Sequence, residues 1–164
     1  MDQSGNAHLK VSKGSLQTLL KFWPDQRITI EKYNGSSWSS SGELLGSADM
    51  PDSGWKNLTL TSDFKLYTNS STRYRKIGKL VELRGVIAPA KSISADSLTV
   101  AFTLPSGYRP SSLVSEICQG SGSNRWLLSI EASGNAVVSR YGTTEYIAIP
   151  TTAWLPFHAV YCVE

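Results

Sequence analysis

The stretch Gly78-Lys-Leu-Val-Glu-Leu-Arg-Gly-Val-Ile87, GKLVELRGVI, decides the fold. Val81, Leu83, Gly85 and Ile87 fall on one side of it and Leu80, Glu82, Arg84 and Val86 on the other. That period of two, in place of 3.6, marks a β-strand with one wholly apolar face. The opposite face carries Glu82 and Arg84 side by side and reads as a solvated surface.

Working outward, strand-like runs recur from Trp55 to the C-terminus: WKNLTLT, FKLYT, YRKIGKLVELRGVIA, SLTVAFTLP, LVSEICQG, NRWLLSIEASGNAVVSR, EYIAIPTTAW and FHAVYCVE. Turn residues separate them, among them Asn69-Ser70, Pro105 to Gly107, Gly134-Asn135 and Gly142. Such spacing predicts an antiparallel sandwich, jelly roll or barrel. Composition agrees, since Ser, Thr, Gly and aromatic residues displace the strong helix formers in a chain of 164 residues with 40% hydrophobic and 18% charged residues. No segment sustains a capped helical period; the nearest, GSLQTLLKF, runs at once into Trp23-Pro24.

The first fifty residues are a separate piece. In RITIEKYNGSSW, Ile28, Ile30 and Lys32 alternate with Thr29 and Glu31, and Asn34-Gly35 is a hairpin turn, so two or three short strands are expected here. SSSGELLGSADMPDSG follows with linker chemistry. The expected organisation is thus an N-terminal β-rich segment and linker over 1–50, then a β-sandwich or jelly-roll-like head over 51–164.

Sixteen Lys and Arg against 13 Asp and Glu give a net charge of +3, spread along the chain apart from Arg73 to Lys79, which indicates no nucleic-acid footprint. No apolar run approaches the 18 residues or so of a membrane span, and the start has no basic-then-apolar leader, so neither membrane insertion nor general secretion is expected. Cys118 and Cys162 sit in apolar runs and read as buried thiols ahead of a disulfide or metal site. Sequons at Asn34, Asn57 and Asn69 read as chance matches in a Ser/Thr-rich chain.

A catalytic constellation is not evident. The two histidines, His8 and His158, have no ligand partner at metal spacing, and there is no Gly-x-Ser-x-Gly elbow. Glu82, Asp96, Glu116, Glu131 and Glu145 include no pair whose local context raises it above the others as a glycosidase pair. Gly120-x-Gly122 lacks the third glycine and the helix that a phosphate-cradling loop requires. No cofactor is expected.

The residue types that are present suit sugar binding, in which an aromatic face stacks on pyranose C–H groups while polar neighbours select hydroxyls. Trp126 stands beside Arg125 and Asn124, Tyr141 beside Arg140, and Tyr146 beside Glu145. Along RWLLSIE, Arg125, Leu127, Ser129 and Glu131 share the face opposite Trp126, Leu128 and Ile130.

The order SGWKNLTL (53–60), YRKIGKLVELRGVI (74–87), TLPSGYRPS (103–111) and RWLLSIEASGNAVV (125–138) resembles the C-terminal head module of tail-fibre, baseplate and receptor-binding proteins of phages of Gram-positive bacteria, of the streptococcal and lactococcal siphophage type. The resemblance spans roughly residues 53 to 164, with LPSGYRP and the KxGxxVxLRG pattern before it as the specific parts. It implies a homotrimeric head without a cofactor that binds host cell-wall or cell-surface polysaccharide for adsorption. Its implied place is the virion, at the tail tip or baseplate among other tail proteins. Residues 41 to 54 would form a neck, and the chain would be the C-terminal portion of a longer protein.

The implied sugar-binding hairpin falls on 125–141, but Leu127 and Ser129 stand where related heads carry a His-x-Asp pair. The candidate saccharide ligands are therefore Arg125, Trp126, Ser129, Arg140, Tyr141 and Glu145. In LPSGYRPS, where Pro105, Gly107 and Pro110 stiffen the turn, Tyr108 and Arg109 are expected to make a structural or subunit-rim contact. A structural tail module without its own receptor is the alternative, and a tail-associated glycan hydrolase a more distant one.

Overall fold

The structure, a computed structural model, describes residues 7–13, 16–22, 28–44 and 50–164. They form strands and connecting turns without a helix. The chain divides into two compact units, Met1–Pro51 and Asp52–Glu164.

The first unit is one antiparallel meander in sequential order: β1 (Ala7–Lys13), β2 (Leu16–Phe22), β3 (Ile28–Tyr33) and β4 (Trp38–Leu44). It holds four strands where the sequence suggests two or three, with Leu16–Phe22 paired as β2 against both neighbours. Asn34-Gly35 makes the β3–β4 hairpin, with Gly35 at φ 100° and the Asn34 side chain accepting from the Ser36 and Ser37 amides. Residues 45–49 of the expected neck lie outside the described residues.

The second unit is an all-β antiparallel sandwich. One sheet runs β13-β8-β7-β5, from Leu155–Cys162, Leu80–Pro89, Arg73–Ile77 and Lys56–Asn57, with β6 (Phe64–Leu66) also pairing β8. The other runs β10-β11-β12-β9, from Val114–Gln119, Arg125–Ile130, Asn135–Gly142 and Thr99–Thr103. Both contain consecutive hairpins, β7-β8 and β10-β11-β12; these orders establish a sandwich and do not extend to a jelly-roll assignment.

Alternation sets the core. Val81, Leu83 and Ile87 of β8 and Leu128 and Ile130 of β11 are essentially inaccessible, and Phe102, Val138, Leu155 and Phe157 join them in one cluster between the sheets. Each such side chain contributes roughly 1.5–3 kcal/mol. The third residue of the apolar face, Gly85, has a packing reason: a Cβ there would lie 2.6 Å from Thr72 Cγ2 and 3.0 Å from the Phe157 ring.

One expectation is corrected. Cys118 is buried, and burial pushes its thiol up to about 11. Cys162 is exposed, because it lies opposite Leu80 on the outer face of β13.

The LPSGYRPS turn closes one end of the sandwich. Gly107 takes φ 83°, and Lys76 Nζ donates to its carbonyl at 3.0 Å. The Tyr108 ring meets Tyr74 edge-on at 4.9 Å and lies 5.2 Å and 5.4 Å from the Lys56 and Lys76 ammonium groups. A hydrogen bond from Lys56 lowers the Tyr108 phenol pKa and raises that of Lys56. Buried Tyr161 donates its hydroxyl to the Tyr108 carbonyl.

Arg109 Nε donates to the Leu104 carbonyl at 2.8 Å, and the same side chain packs over Gly134 in the β11–β12 turn. Both residues thus make intramolecular contacts at the rim of the unit. Arg109→Ala will cost about 1 kcal/mol, the scale of one hydrogen bond with a charged donor discounted for exposure, measured as a lower urea midpoint.

Candidate functional site

The β11–β12 pair builds the candidate site on the outer face of its sheet. Along β11, Trp126, Leu128 and Ile130 point inward, so Arg125, Leu127 and Ser129 point out. β10 pairs in register, which puts Ile117 beside Leu127 and Gln119 beside Arg125.

On β12 the register slips. Leu127 faces Ser139 but Arg125 faces Gly142, so β12 holds one residue more than β11 across this step. The extra residue is Arg140, whose φ of 55° is left-handed backbone that a long side chain adopts only under constraint from its surroundings. The bulge keeps Arg140 exposed and turns the next residue, Tyr141, into the core, where it is 2% exposed.

After the bulge the chain folds back sharply. Gly142 has φ 148° and bridges to Tyr146, while the Ile147 amide donates to the Tyr141 carbonyl at 2.8 Å. Arg125 Nη2 donates to the Thr143 carbonyl at 3.0 Å and ties this loop to β11. The result is a groove of about 380 Å³ between the loop and the sheet, within the ~300–1,000 Å³ span of small-ligand sites. Arg125, Arg140, Thr143, Thr144 and Tyr146 surround it over an apolar floor of Ile117 and Leu127.

Of the six ligand candidates, Arg125, Arg140 and Trp126 border this groove, but only the two arginines are exposed in it. Ser129 is on the same face but one side-chain step beyond Leu127, 3.3 Å from Ser115 Oγ. Glu145 is exposed on the loop and does not line the groove.

The two aromatic candidates are core residues. Trp126 is 1% exposed, and its indole N–H is taken by the Gln119 carbonyl at 2.9 Å. The Tyr141 hydroxyl accepts from Asn124 Nδ2 at 3.2 Å, within a turn that Gln119 Nε2 clamps through the Gly120, Gly122 and Asn124 carbonyls. Neither offers a ring face to a ligand. That position falls to Tyr146, 49% exposed at the groove rim, and its signal in the sequence was an aromatic in a short turn after Gly142.

The groove is cationic: among the described residues neither Arg125 nor Arg140 has a carboxylate within ion-pair distance, and no Asp or Glu lines it. Among the described residues no three His, Cys, Asp or Glu side chains converge to hold a metal ion. No helix is long and apolar enough to cross a membrane. The chain matches no family model and no curated protein sequence.

Proposed function

We propose that the second unit is the non-enzymatic receptor-binding head of a phage tail protein, which adsorbs the virion to host cell-surface saccharide as a homotrimer at the tail tip or baseplate. The observation that carries the reading is the groove itself. It pairs one exposed aromatic, Tyr146, with two guanidinium donors and two threonines over a small apolar floor. A pyranose needs these groups: a ring to stack on, and fixed donors for its hydroxyls. Binding in place of turnover fits the lining, because glycoside hydrolysis uses two facing carboxylates and this groove presents arginines. A shallow site of modest affinity suits a virion that carries many copies, since linked sites multiply weak binding.

Tyr146→Ala will weaken binding of the full chain to wall polysaccharide from streptococcal or lactococcal cells about tenfold, the scale of ~1.4 kcal/mol, with an unchanged melting temperature. Equal binding by the variant and the parent chain would move the saccharide off this groove. Failure of the parent chain to bind any strain would favour the second reading, a structural baseplate module. That reading draws on the apolar side chains left open on this unit, with Leu98 78% and Ile117 76% exposed.

A further inference from the structure

The opposite outer face of the sandwich carries a second group of cations that the proposed adsorption site does not use. In the β7-β8-β13 register Arg73 stands directly opposite Arg84, and Arg84 directly opposite His158. Three basic side chains therefore form one row across three strands. Side chains directly opposite each other have Cβ atoms only ~4.5–5.5 Å apart, and like charges so placed are destabilising.

The neighbouring carboxylates reach the row only at its His158 end. Glu82 is held by Arg75 at 2.9 Å and reaches His158 at 3.4 Å, and Asp52 also faces Arg75, at 3.5 Å. Burial alone would raise the Glu82 pKa, but the hydrogen bond and charge of Arg75, with help from His158, outweigh it and keep the carboxylate ionised. Among the described residues Arg73 and Arg84 make no ion pair.

Arg84 is also oriented. Its guanidinium carbon lies 4.1 Å from the centre of the Trp55 ring, and that of Arg75 lies 4.5 Å from the same ring. Stacking fixes the plane of the fork and leaves its in-plane N–H groups for an acceptor. Beside the row is an open concavity of about 550 Å³ lined by Arg73, Arg84, Asn69, Ser70 and Ser71. Asn69, at φ 56°, turns the chain there, and Ser70 Oγ is spent on the Val86 and Tyr67 carbonyls, which braces the wall.

We infer that the Arg73–Arg84–His158 row is a binding site for a phosphate group. A carboxylate is satisfied by a single arginine fork. A phosphate presents more oxygens around one centre and can engage the two facing forks of Arg73 and Arg84 together, relieving their like-charge contact as it does so.

The test uses the full chain, with melting temperature and backbone and indole NMR shifts followed in inorganic phosphate against sodium chloride at equal ionic strength. A poly(glycerol phosphate) oligomer is titrated in parallel. The expected result is saturable shifts at Trp55 and around Arg84, a phosphate-specific rise in melting temperature, and at least tenfold weaker binding in both Arg73→Gln and Arg84→Gln. In chloride Arg73→Gln should melt no lower than the parent, because it removes one of two facing cations, whereas Arg84→Gln also gives up the stacking on Trp55; Arg84→Lys, which keeps charge but not the fork, should bind at an intermediate level.

Tighter binding of the oligomer than of inorganic phosphate would identify a phosphodiester chain as the source, and equal binding an isolated phosphate. Equal effects of phosphate and chloride, or full binding in the Gln variants, would overturn the site. Tyr146→Ala should leave all of these readings unchanged, which separates this face from the saccharide groove.

Discussion

Trp126→Ala will cost about 3–5 kcal/mol, the range for removing a large aromatic from a packed core. The ring is 1% exposed in the cluster shared by the two sheets, and its indole N–H leaves the Gln119 carbonyl without its donor when removed. Since domains are stable by only ~5–15 kcal/mol, a loss on this scale takes a large share of the total. The expected measurement is a urea midpoint shifted far down with the m-value retained. Saccharide binding should fall only in proportion to the folded fraction. Trp126→Phe separates the contributions: it keeps most of the apolar volume, so it should recover most of the stability and bind normally. A variant that melts like the parent but fails to bind sugar would put Trp126 back at the ligand.

Gly142→Ala is the second large effect, and it acts on the groove directly. A Cβ at this position would lie 2.0 Å from the Glu145 carbonyl oxygen and 3.1 Å from its carbon, both backbone atoms that no side-chain rotation can move aside. The φ of 148° adds strain for any residue with a Cβ. The 142–146 turn must therefore open, breaking the bridge between Gly142 and Tyr146 and swinging Tyr146 from the rim. Strain and overpacking together come to about 2–4 kcal/mol, and saccharide binding should drop at least as far as in Tyr146→Ala. A crystal structure or NMR spectrum of the variant with the turn intact and binding unimpaired would show that the groove does not depend on this loop.

Much of the architecture was legible because it follows from alternation. GKLVELRGVI assigns its own faces, and Val81, Leu83 and Ile87 are inaccessible as the period requires. RWLLSI likewise separates Trp126, Leu128 and Ile130 from Arg125, Leu127 and Ser129. The same period already argued against Trp126 as a surface ligand, since it places that residue with two core aliphatics. Its residue type, which suits sugar stacking, pointed the other way. In the structure the period prevails, because the apolar area of an indole outweighs any preference for exposure.

What alternation missed lies where register breaks. One extra residue at Arg140 reverses the faces of everything after it, so Tyr141 enters the core. No local motif announces a bulge; it shows only in the pairing of β12 with β11, where Leu127 faces Ser139 and Arg125 faces Gly142. The Arg73–Arg84–His158 row is likewise invisible in one dimension, because its members come from three strands and only the cross-strand register aligns them.

The sequence alone thus determined the class of the fold, the apolar faces of individual strands and the hairpin at Asn34-Gly35, all of which depend on neighbours within a few residues. Only the tertiary structure decided which cations meet and which aromatic faces solvent. Those outcomes depend on pairing between distant segments, where a shift of one residue moves a side chain to the other face of the sheet.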